Sequence, residues 1–320
     1  MGLRKWALLL LAWGALATAS AQEWPVRPVR IVTAFGPGSA SDIVARMIAE
    51  DLQSTFRQPF VVDNKPGASG ILAAEMVAKS PADGYTLFLT TNTANSVNPY
   101  LFKKLPYDPI KDFTPIARVC YFPFVLAVNA NLPVKNVADL LAFGRNARNK
   151  VSYAYGNSTG QVAGAAFSSL ARLDATAVPY KSTPQALTDL IGGQVTFMFV
   201  DLASSRPHVA AGRVRVLAVT SEQPSAMAPD LPTIASAAHL PGFDLSAWVG
   251  VIGPAGMPRA LVDRLSSRIA SMLARKEVVD KLASIGAEVA PGSAAELDAY
   301  MKRQLDVWGR KVKDAGIQPE

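Results

Sequence analysis

The feature of this sequence that most limits its fold is a unit that recurs along the chain. Each unit is a short apolar run, then a glycine-rich or polar loop, then a segment with apolar residues at helical spacing. In the first unit, residues 29–35 form the apolar run, residues 36–42 the loop, and Val44, Ile48 and Leu52 lie on one face of the helix. Alternating strands and helices predict an α/β protein with mostly parallel sheets.

Later units follow the same order with different loop chemistry. The expected elements are, in chain order, strand 60–62, loop 64–70 and a helix ending before Pro81; strand 86–90 and polar loop 91–95; strand 151–155, loop 156–161 and helix 162–173; a helix capped at Thr183 and ended by Gly192 and Gly193; strands 195–200 and 214–220; and an amphipathic helix at 294–313. Ser41 or Asp42 is expected to cap the first helix. The Pro-, Ala- and Ser-rich connection at 221–245 is typical of a crossover between domains.

The first 21 residues are predicted to be a secretory signal peptide. A basic start at residues 4–5 precedes an apolar run at 6–16, and Ala19 and Ala21 supply the small residues that signal peptidase recognises. The apolar run is too short to span a bilayer, and no later stretch reaches the roughly 18 apolar residues that a membrane span requires. We therefore expect cleavage after Ala21 and export of the mature protein.

Charge and composition exclude several classes of protein. Lys and Arg number 32 against 25 Asp and Glu, and the basic residues are scattered, which is not the pattern of a nucleic-acid-binding protein. A single cysteine cannot form an internal disulfide. With only two histidines, the chain has no cluster of ligands for zinc, and we expect neither a bound metal nor a cofactor.

Three loops have the composition of anion-binding loops. Residues 36–42 and 67–70 lie in the first half of the chain, and residues 156–160 in the second. A glycine-rich loop between a strand and a helix presents free backbone N–H groups and the positive end of the helix dipole at one point. The joint occurrence of these loops predicts a cleft with amide donors on both walls, which could hold a small anion without buried arginines.

The third loop also matches the G-x-S-x-G pattern of a serine hydrolase. Ser158 is the central residue of that pattern, after a predicted strand and before a predicted helix. Asp201 with His208 or His239 follows in the order of a catalytic triad. Against this interpretation, the sequence upstream has no histidine-glycine oxyanion motif, and His208 follows Asp201 too closely in a segment that reads as a surface helix. A secreted α/β hydrolase using Ser158 is therefore the alternative hypothesis.

An ordered set of segments resembles a known family of extracytoplasmic solute-binding proteins. The segments are residues 35–46, 62–70, 82–86, 98–99, 107–109, 112–113, 178–181, 192–195, 217–221, 240–243 and 253–256. In this order they resemble the Bug family, also called the tripartite tricarboxylate transporter receptor family. Each segment alone is unremarkable, whereas the ordered set extends over nearly all of the chain after residue 21.

The resemblance implies a type II periplasmic-binding-protein fold, in which crossover strands join two α/β domains around a central ligand cleft. Domain 1 is expected to comprise residues 22–122 and 250–320, and domain 2 residues 123–249. The implied function is capture of a small carboxylate or a related amide by a monomer, without catalysis, for delivery to a membrane permease of the tripartite tricarboxylate type or for sensing. This implication recasts the G-x-S-x-G match as part of a binding loop.

Carried over by position, the resemblance places ligand-binding residues on two walls. On the first wall these are Phe35, Gly36, Pro37, Gly38, Ser39, Ala40, Ser41, Ala68, Ser69, Gly70, Thr91, Asn92 and Thr93. On the opposite wall they are Tyr155, Asn157, Ser158, Thr159, Gly160, Gln161 and Asp201. The role of Asp201 stays open, since its carboxylate could receive an ammonium or amide group of the ligand or cap the helix that follows.

Overall fold

A computed structural model describes residues 24–319, so the predicted signal peptide at residues 1–21 lies outside the described residues. The strands are β1 Val29–Thr33, β2 Phe60–Asn64, β3 Thr86–Thr91, β4 Phe113–Asn129, β5 Val151–Tyr155, β6 Ala175–Pro179, β7 Phe197–Asp201, β8 Val214–Val219, β9 Ser246–Pro254 and β10 Glu288–Gly292. The α-helices are α1 Ala40–Phe56, α2 Ile71–Ala78, α3 Asn98–Leu101, α4 Val137–Arg145, α5 Ser158–Leu170, α6 Thr183–Ile191, α7 Leu202–Ala210, α8 Ile234–Ala237, α9 Arg259–Leu273, α10 Lys276–Ser284 and α11 Ala294–Asp314.

The strands pair in the order β2-β1-β3-β9-β4-β7-β5-β6, and β8 and β10 also pair with β4. Strand β1 is parallel to β2 and β3, and β5 is parallel to β6 and β7. All pairings of β4 and β9 are antiparallel. The expectation of mostly parallel sheets is therefore wrong. It holds for the strand-loop-helix units, and it fails for β4 and β9, whose pairings are all antiparallel.

Strand β4 is shared between the two groups of strands. Its first part, from Phe113 to Pro123, pairs with β9, and its last part, from Phe124 onward, pairs with β7 and β8. Successive residues of a strand point to opposite faces. Register shifts lie between Pro115 and Ala117 and between Arg118 and Cys120, so the strand is irregular as well as long. These irregularities explain why the sequence pattern did not reveal β4.

The first helix shows how local sequence positions the site. Helix α1 buries Val44, Ile48 and Leu52 against the sheet, as the spacing predicts. Its N-cap is Ser39, whose Oγ accepts a hydrogen bond from the Asp42 N–H at 3.2 Å. The expected cap at Ser41 or Asp42 is therefore wrong by two or three residues. The helix begins earlier because Ser39 is extended, with φ −72° and ψ 158°, and its side chain reaches the third N–H of the helix.

Two segments expected to be loops are helical. The chain is helical from Asn92 through a π-helical turn, Thr93–Val97, and into α3. Helix α5 begins at Ser158, because the Asn157 side chain accepts a hydrogen bond from the Gly160 N–H at 2.8 Å. In both places the polar residues that read as loop are buried.

The C-terminal elements agree with the sequence. Helix α11 occupies almost the predicted range and begins with a capping box between Ser293 and Glu296. It buries Leu297 and Met301 in one core cluster with Trp248 of β9, and Trp308 in another. Within residues 24–319, no helix combines the length and apolar character needed to cross a membrane.

Candidate ligand-binding site

Two adjoining cavities lie between the ends of the strands. The inner cavity has a volume of about 30 Å³ and the outer cavity about 290 Å³. Phe35, Thr93 and Asn157 line both, so the two form one continuous cleft. The outer cavity is close to the lower limit of the roughly 300–1,000 Å³ typical of sites for small molecules, and the inner cavity is a small extension of it. The cleft is bounded by the loop after β1 and the helical turn after β3 on one side, and by the start of α5 on the other.

The loop after β1 is fixed by the buried carboxylate of Asp42. Its Oδ2 accepts hydrogen bonds from the Gly38 N–H and from Arg46 Nε, both at 3.0 Å. Its Oδ1 accepts one from Asn64 Nδ2 at 2.9 Å, and Asn64 Nδ2 also donates to the carbonyl oxygen of Phe35. These bonds tie the loop to β2 and to the first turn of α1. They hold Ser39 and the residues after it against the inner cavity.

The ionisation of Asp42 follows from these contacts. Burial alone would raise the pKa of this carboxyl group, but hydrogen bonds from Arg46, Gly38 and Asn64, with the charge of Arg46, hold the pKa below its ordinary value of 3.8. A carboxyl group whose pKa is lower in the folded than in the unfolded state stabilises the fold above the unfolded pKa. That contribution is lost as the pH falls through the folded value.

We therefore expect Asp42→Asn to lower the free energy of unfolding at pH 7 by about 2 kcal/mol, the range of charge-assisted hydrogen bonds. Below about pH 4 the difference from wild type should shrink, because the wild-type carboxylate then becomes protonated. Urea unfolding at pH 7 and pH 3 measures both values. Asp139→Asn is the control, because this partly exposed carboxylate in the first turn of α4 also accepts a backbone hydrogen bond, from the Lys135 N–H. A constant difference across this pH range would contradict the assignment.

The second loop of the first wall is left-handed over four residues. Gly67, Ala68, Ser69 and Gly70 have φ values of 113°, 46°, 49° and 78°. Residues other than glycine rarely adopt such values, and each costs of the order of 1 kcal/mol or more. Asn98 Nδ2 donates to the carbonyl oxygen of Ser69 at 2.8 Å and holds this conformation. All four residues line the outer cavity.

Direct hydrogen bonds join the two walls. Asn92 Nδ2 donates to Thr159 Oγ1 at 2.7 Å, and Ser158 Oγ donates to Asn98 Oδ1 at 3.0 Å. All four side chains are buried. The start of α5 is thus attached to the helical segment after β3, which is the arrangement of a closed cleft.

The opposite wall is built around a close approach of two backbones. The backbone of Gly156 lies against that of Ser182 and Thr183, so that a β-carbon at this position would overlap them. Asn157 Nδ2 donates to Thr183 Oγ1 at 3.2 Å. This packing brings the cap of α5 and the start of α6 together, and it places both Asn157 and Thr183 on the inner cavity.

Asp201 caps α7 and also lines the inner cavity. Its Oδ1 accepts from the Ser204 N–H at 2.8 Å, and its Oδ2 accepts from Ser204 Oγ at 3.1 Å. Burial raises the pKa of Asp201, and the hydrogen bonds from Ser204 oppose that rise. Of the two roles left open for Asp201, the structure shows the helix cap, and Asp201 also lines the cleft.

Most residues predicted for the site lie together around the cleft. The inner cavity is lined by Phe35, Ser39, Ala40, Ser41, Thr91, Asn92, Thr93, Asn157, Thr159 and Asp201, and the outer cavity by Phe35, Ala68, Ser69, Gly70, Thr93, Tyr155, Asn157 and Gln161. Five predicted residues line neither cavity, namely Gly36, Pro37, Gly38, Ser158 and Gly160. Gly38 and Gly160 donate to the side chains that hold the loops, and Ser158 is turned toward Asn98.

Sequence reasoning missed several lining residues. They are Phe122, Phe124, Thr183 and Ala247 of the inner cavity and Ala34, Pro179, Tyr180 and Lys181 of the outer cavity, which is also lined by Gly67 and Gly156 of the predicted anion-binding loops. Two of the inner residues, Phe122 and Phe124, are alternate residues of β4, as expected for one face of a strand. Since β4 was not predicted, its cleft-facing side chains could not be found. Tyr180 and Lys181 fall in a segment that the family resemblance included, without a role.

The surroundings of Ser158 are not those of a nucleophile. A catalytic serine needs a basic partner within hydrogen-bond distance, and Ser158 Oγ instead donates to the amide oxygen of Asn98. His208 lies in the last turn of α7 beside Arg213, and burial together with the charge of Arg213 lowers the pKa of His208. Within residues 24–319, no group of three His, Cys, Asp or Glu side chains is placed to hold a metal ion.

Comparison with known proteins relates most of the chain to one family of receptors. The sequence model of the tripartite tricarboxylate transporter family receptor matches residues 44–317. The chain is similar to Rpa4515 of R. palustris, solved with adipate, with 36% identity and a TM-score of 0.89 over 93% of this chain and 100% of that chain.

Two other solved structures are also similar. The periplasmic binding protein BugD is 30% identical, with a TM-score of 0.87 over 93% of this chain and 100% of that chain. MatC from Rhodopseudomonas palustris, with bound malate, is 30% identical, with a TM-score of 0.84 over 90% of this chain and 100% of that chain. The expected type II periplasmic-binding-protein fold is confirmed, and the chain belongs to the tripartite tricarboxylate transporter receptor family of solute-binding proteins.

Proposed function

We propose that this protein is a periplasmic receptor that captures a small organic carboxylate between two closing domains and delivers it to a membrane permease of the tripartite tricarboxylate type. Domain 1 would comprise residues 22–122 and 250–320, and domain 2 residues 123–249. The change of pairing partners at Pro123 and Phe124 supports the first border. Family membership and the adipate and malate bound by two relatives support the class of ligand.

The observation that carries the proposal is the chemistry of the cleft. Hydroxyl-bearing side chains from both walls surround the inner cavity, which has no Lys, Arg or His among its lining residues. Several neutral donors can hold a carboxylate without a full counter-charge, since hydrogen bonds to an ionised acceptor are about twice as strong as neutral ones. Among the residues that the structure describes, Lys181 is the only basic side chain on the cleft, and it lines the outer cavity.

Capture follows from differential binding to two domain positions. In an open form the solute meets one wall only. Closure adds donors from the other wall together with the Asn92–Thr159 and Ser158–Asn98 hydrogen bonds. The ligand therefore stabilises the closed form by its extra affinity for that form.

Thermal unfolding tests the proposed function. With a carboxylate at 100 times its dissociation constant, we expect about 2.7 kcal/mol of added stability, or roughly 5–10 °C in melting temperature. The panel comprises dicarboxylic, tricarboxylic and aromatic acids and their amides, with esters added to detect hydrolysis. Mass spectrometry of the denatured protein detects a ligand retained from expression.

A melting-temperature rise without consumption of the acid would support a receptor. Ester turnover that disappears in Ser158→Ala would instead support the hydrolase hypothesis. The absence of both a shift and a retained acid would contradict carboxylate binding.

A further inference from the structure

The inner cavity contains a buried hydrogen-bond acceptor without a donor. Asn92 is fully buried and lines this cavity, and its Nδ2 donates to Thr159. Its Oδ1 has no hydrogen-bond partner among residues 24–319. Buried polar atoms are nearly always paired, and one left unpaired in a native protein calls for an explanation. If the amide oxygen and nitrogen of Asn92 were exchanged, its NH₂ group would be left without an acceptor instead. Asp201 would still provide an acceptor at this cavity.

A second acceptor lines the same cavity. The carboxyl group of Asp201 is 5% exposed, and all its recorded hydrogen bonds come from its own helix turn. Among the described residues, no Lys, Arg or His lies within 4 Å of it. A buried carboxylate without a cation is costly unless a partner arrives. Asn92 and Asp201 are thus two acceptors at one small cavity.

The same cavity also presents donors for an anion. The hydroxyls of Ser39, Ser41, Thr91, Thr93 and Thr183 line it, and within residues 24–319 none of them donates a hydrogen bond that the structure records. Each hydroxyl can donate a hydrogen bond to a ligand oxygen. The inner cavity therefore offers hydrogen-bond donors for a carboxylate, and hydrogen-bond acceptors for a group with an N–H or O–H.

We propose that the inner cavity selects carboxylates that carry an ammonium or a hydroxyl group on the carbon next to the carboxylate. The hydroxyls of the first wall bind the carboxylate, and Asn92 Oδ1 and Asp201 accept hydrogen bonds from the neighbouring group. This inference rests on the proposed function and narrows its ligand class. A site with buried acceptors discriminates strongly against an analogue that lacks the matching donor, because the acceptors are then left unpaired.

Matched acids of three lengths provide the test. The first set is succinate, malate and aspartate; the second is glutarate, 2-hydroxyglutarate and glutamate; the third is adipate, 2-hydroxyadipate and 2-aminoadipate. Isothermal titration calorimetry gives the dissociation constant of each acid with the wild-type protein. In the set that binds, we expect the hydroxy or amino acid to bind at least about tenfold tighter than the unsubstituted acid.

Variants distinguish the contributions of the two acceptors, Asp201 and Asn92, to this selectivity. Asp201→Asn keeps the helix cap, since Asn and Asp cap about equally well, and it should abolish most of the advantage of the ammonium group while retaining that of the hydroxyl. Asn92→Leu should reduce both advantages. Because this change also breaks the bond to Thr159, the control is Thr159→Val, which breaks the same bond and leaves Asn92 in place. Thr159→Val should lower all affinities without changing their ratios.

Equal affinity within every set would overturn the inference and leave the proposed function intact. The inference would also be overturned if the ratios of dissociation constants within a set were the same in Asp201→Asn and Asn92→Leu as in wild type. If no acid of any set binds, the inference fails. The proposed function fails with it if the wider panel of tricarboxylic and aromatic acids and amides also gives no shift and no acid is retained from expression.

Discussion

Replacing Gly156 by alanine is expected to lower the free energy of unfolding by about 3 kcal/mol, at the upper end of the cost of overpacking a core. The added methyl group would overlap the backbones of Ser182 and Thr183, which cannot move aside as a flexible side chain would. The start of α6 would have to shift away from the start of α5. We expect a fall in melting temperature of roughly 6–12 °C.

Gly36→Ala is the matched control, because it faces the same residue. A β-carbon at Gly36 would lie 3.8 Å from the Ser182 side chain, an ordinary van der Waals distance. Its effect on stability should stay within about 0.5 kcal/mol, as for substitutions that create no clash. Equal melting temperatures for Gly156→Ala and wild type would show that the two backbones do not approach as closely as described.

Asn98→Ala is expected to have the second large effect, because it removes hydrogen bonds on both sides of the cleft. Its loss leaves the Ser69 carbonyl and the Ser158 hydroxyl without their partners. At about 1–3 kcal/mol for each buried group left unpaired, we expect about 3 kcal/mol of lost stability. The left-handed turn at residues 67–70 would also lose its support, so carboxylate affinity should fall at least about tenfold.

Ser158→Ala is the companion variant, because it removes only the bond that Asn98 makes to the opposite wall. It should cost about 1 kcal/mol and leave the turn at residues 67–70 in place. Chemical denaturation gives the stabilities of both variants, and calorimetry gives their affinities for the carboxylate that binds wild type. If Asn98→Ala matched Ser158→Ala in both quantities, the bond from Asn98 to Ser69 would have no role in the site.

The sequence predicted those elements whose signals are local. Strand β5 begins and ends where expected, and α11 extends only one residue beyond its predicted range, because their periodicity and caps lie within a few residues. The glycine-rich loops could likewise be placed at the cleft, since loops that follow the carboxyl ends of parallel strands gather at one edge of a sheet.

Features that depend on distant contacts could not be predicted. The segment after β3 reads as a polar loop, yet Asn95 Nδ2 donates to the carbonyl oxygen of Pro109 and Tyr107 Oη donates to that of Ala94. Those bonds satisfy the polar groups and allow the segment to be buried and helical. The site residues Phe122 and Phe124 were missed for a related reason, because β4 is stabilised by neighbours far away in sequence.

The position of β9 in the sheet has a consequence for how the chain is made. This strand lies between β3 and β4, and it pairs Pro254 with Phe113 and Val251 with Leu89. On the ribosome, both neighbours emerge long before residues 246–254 are synthesised, so the nascent chain cannot complete its sheet early. Contacts between residues so distant in sequence also form slowly. The first group of strands, β1 to β3 with the start of β4, therefore cannot be completed until most of the chain has been synthesised.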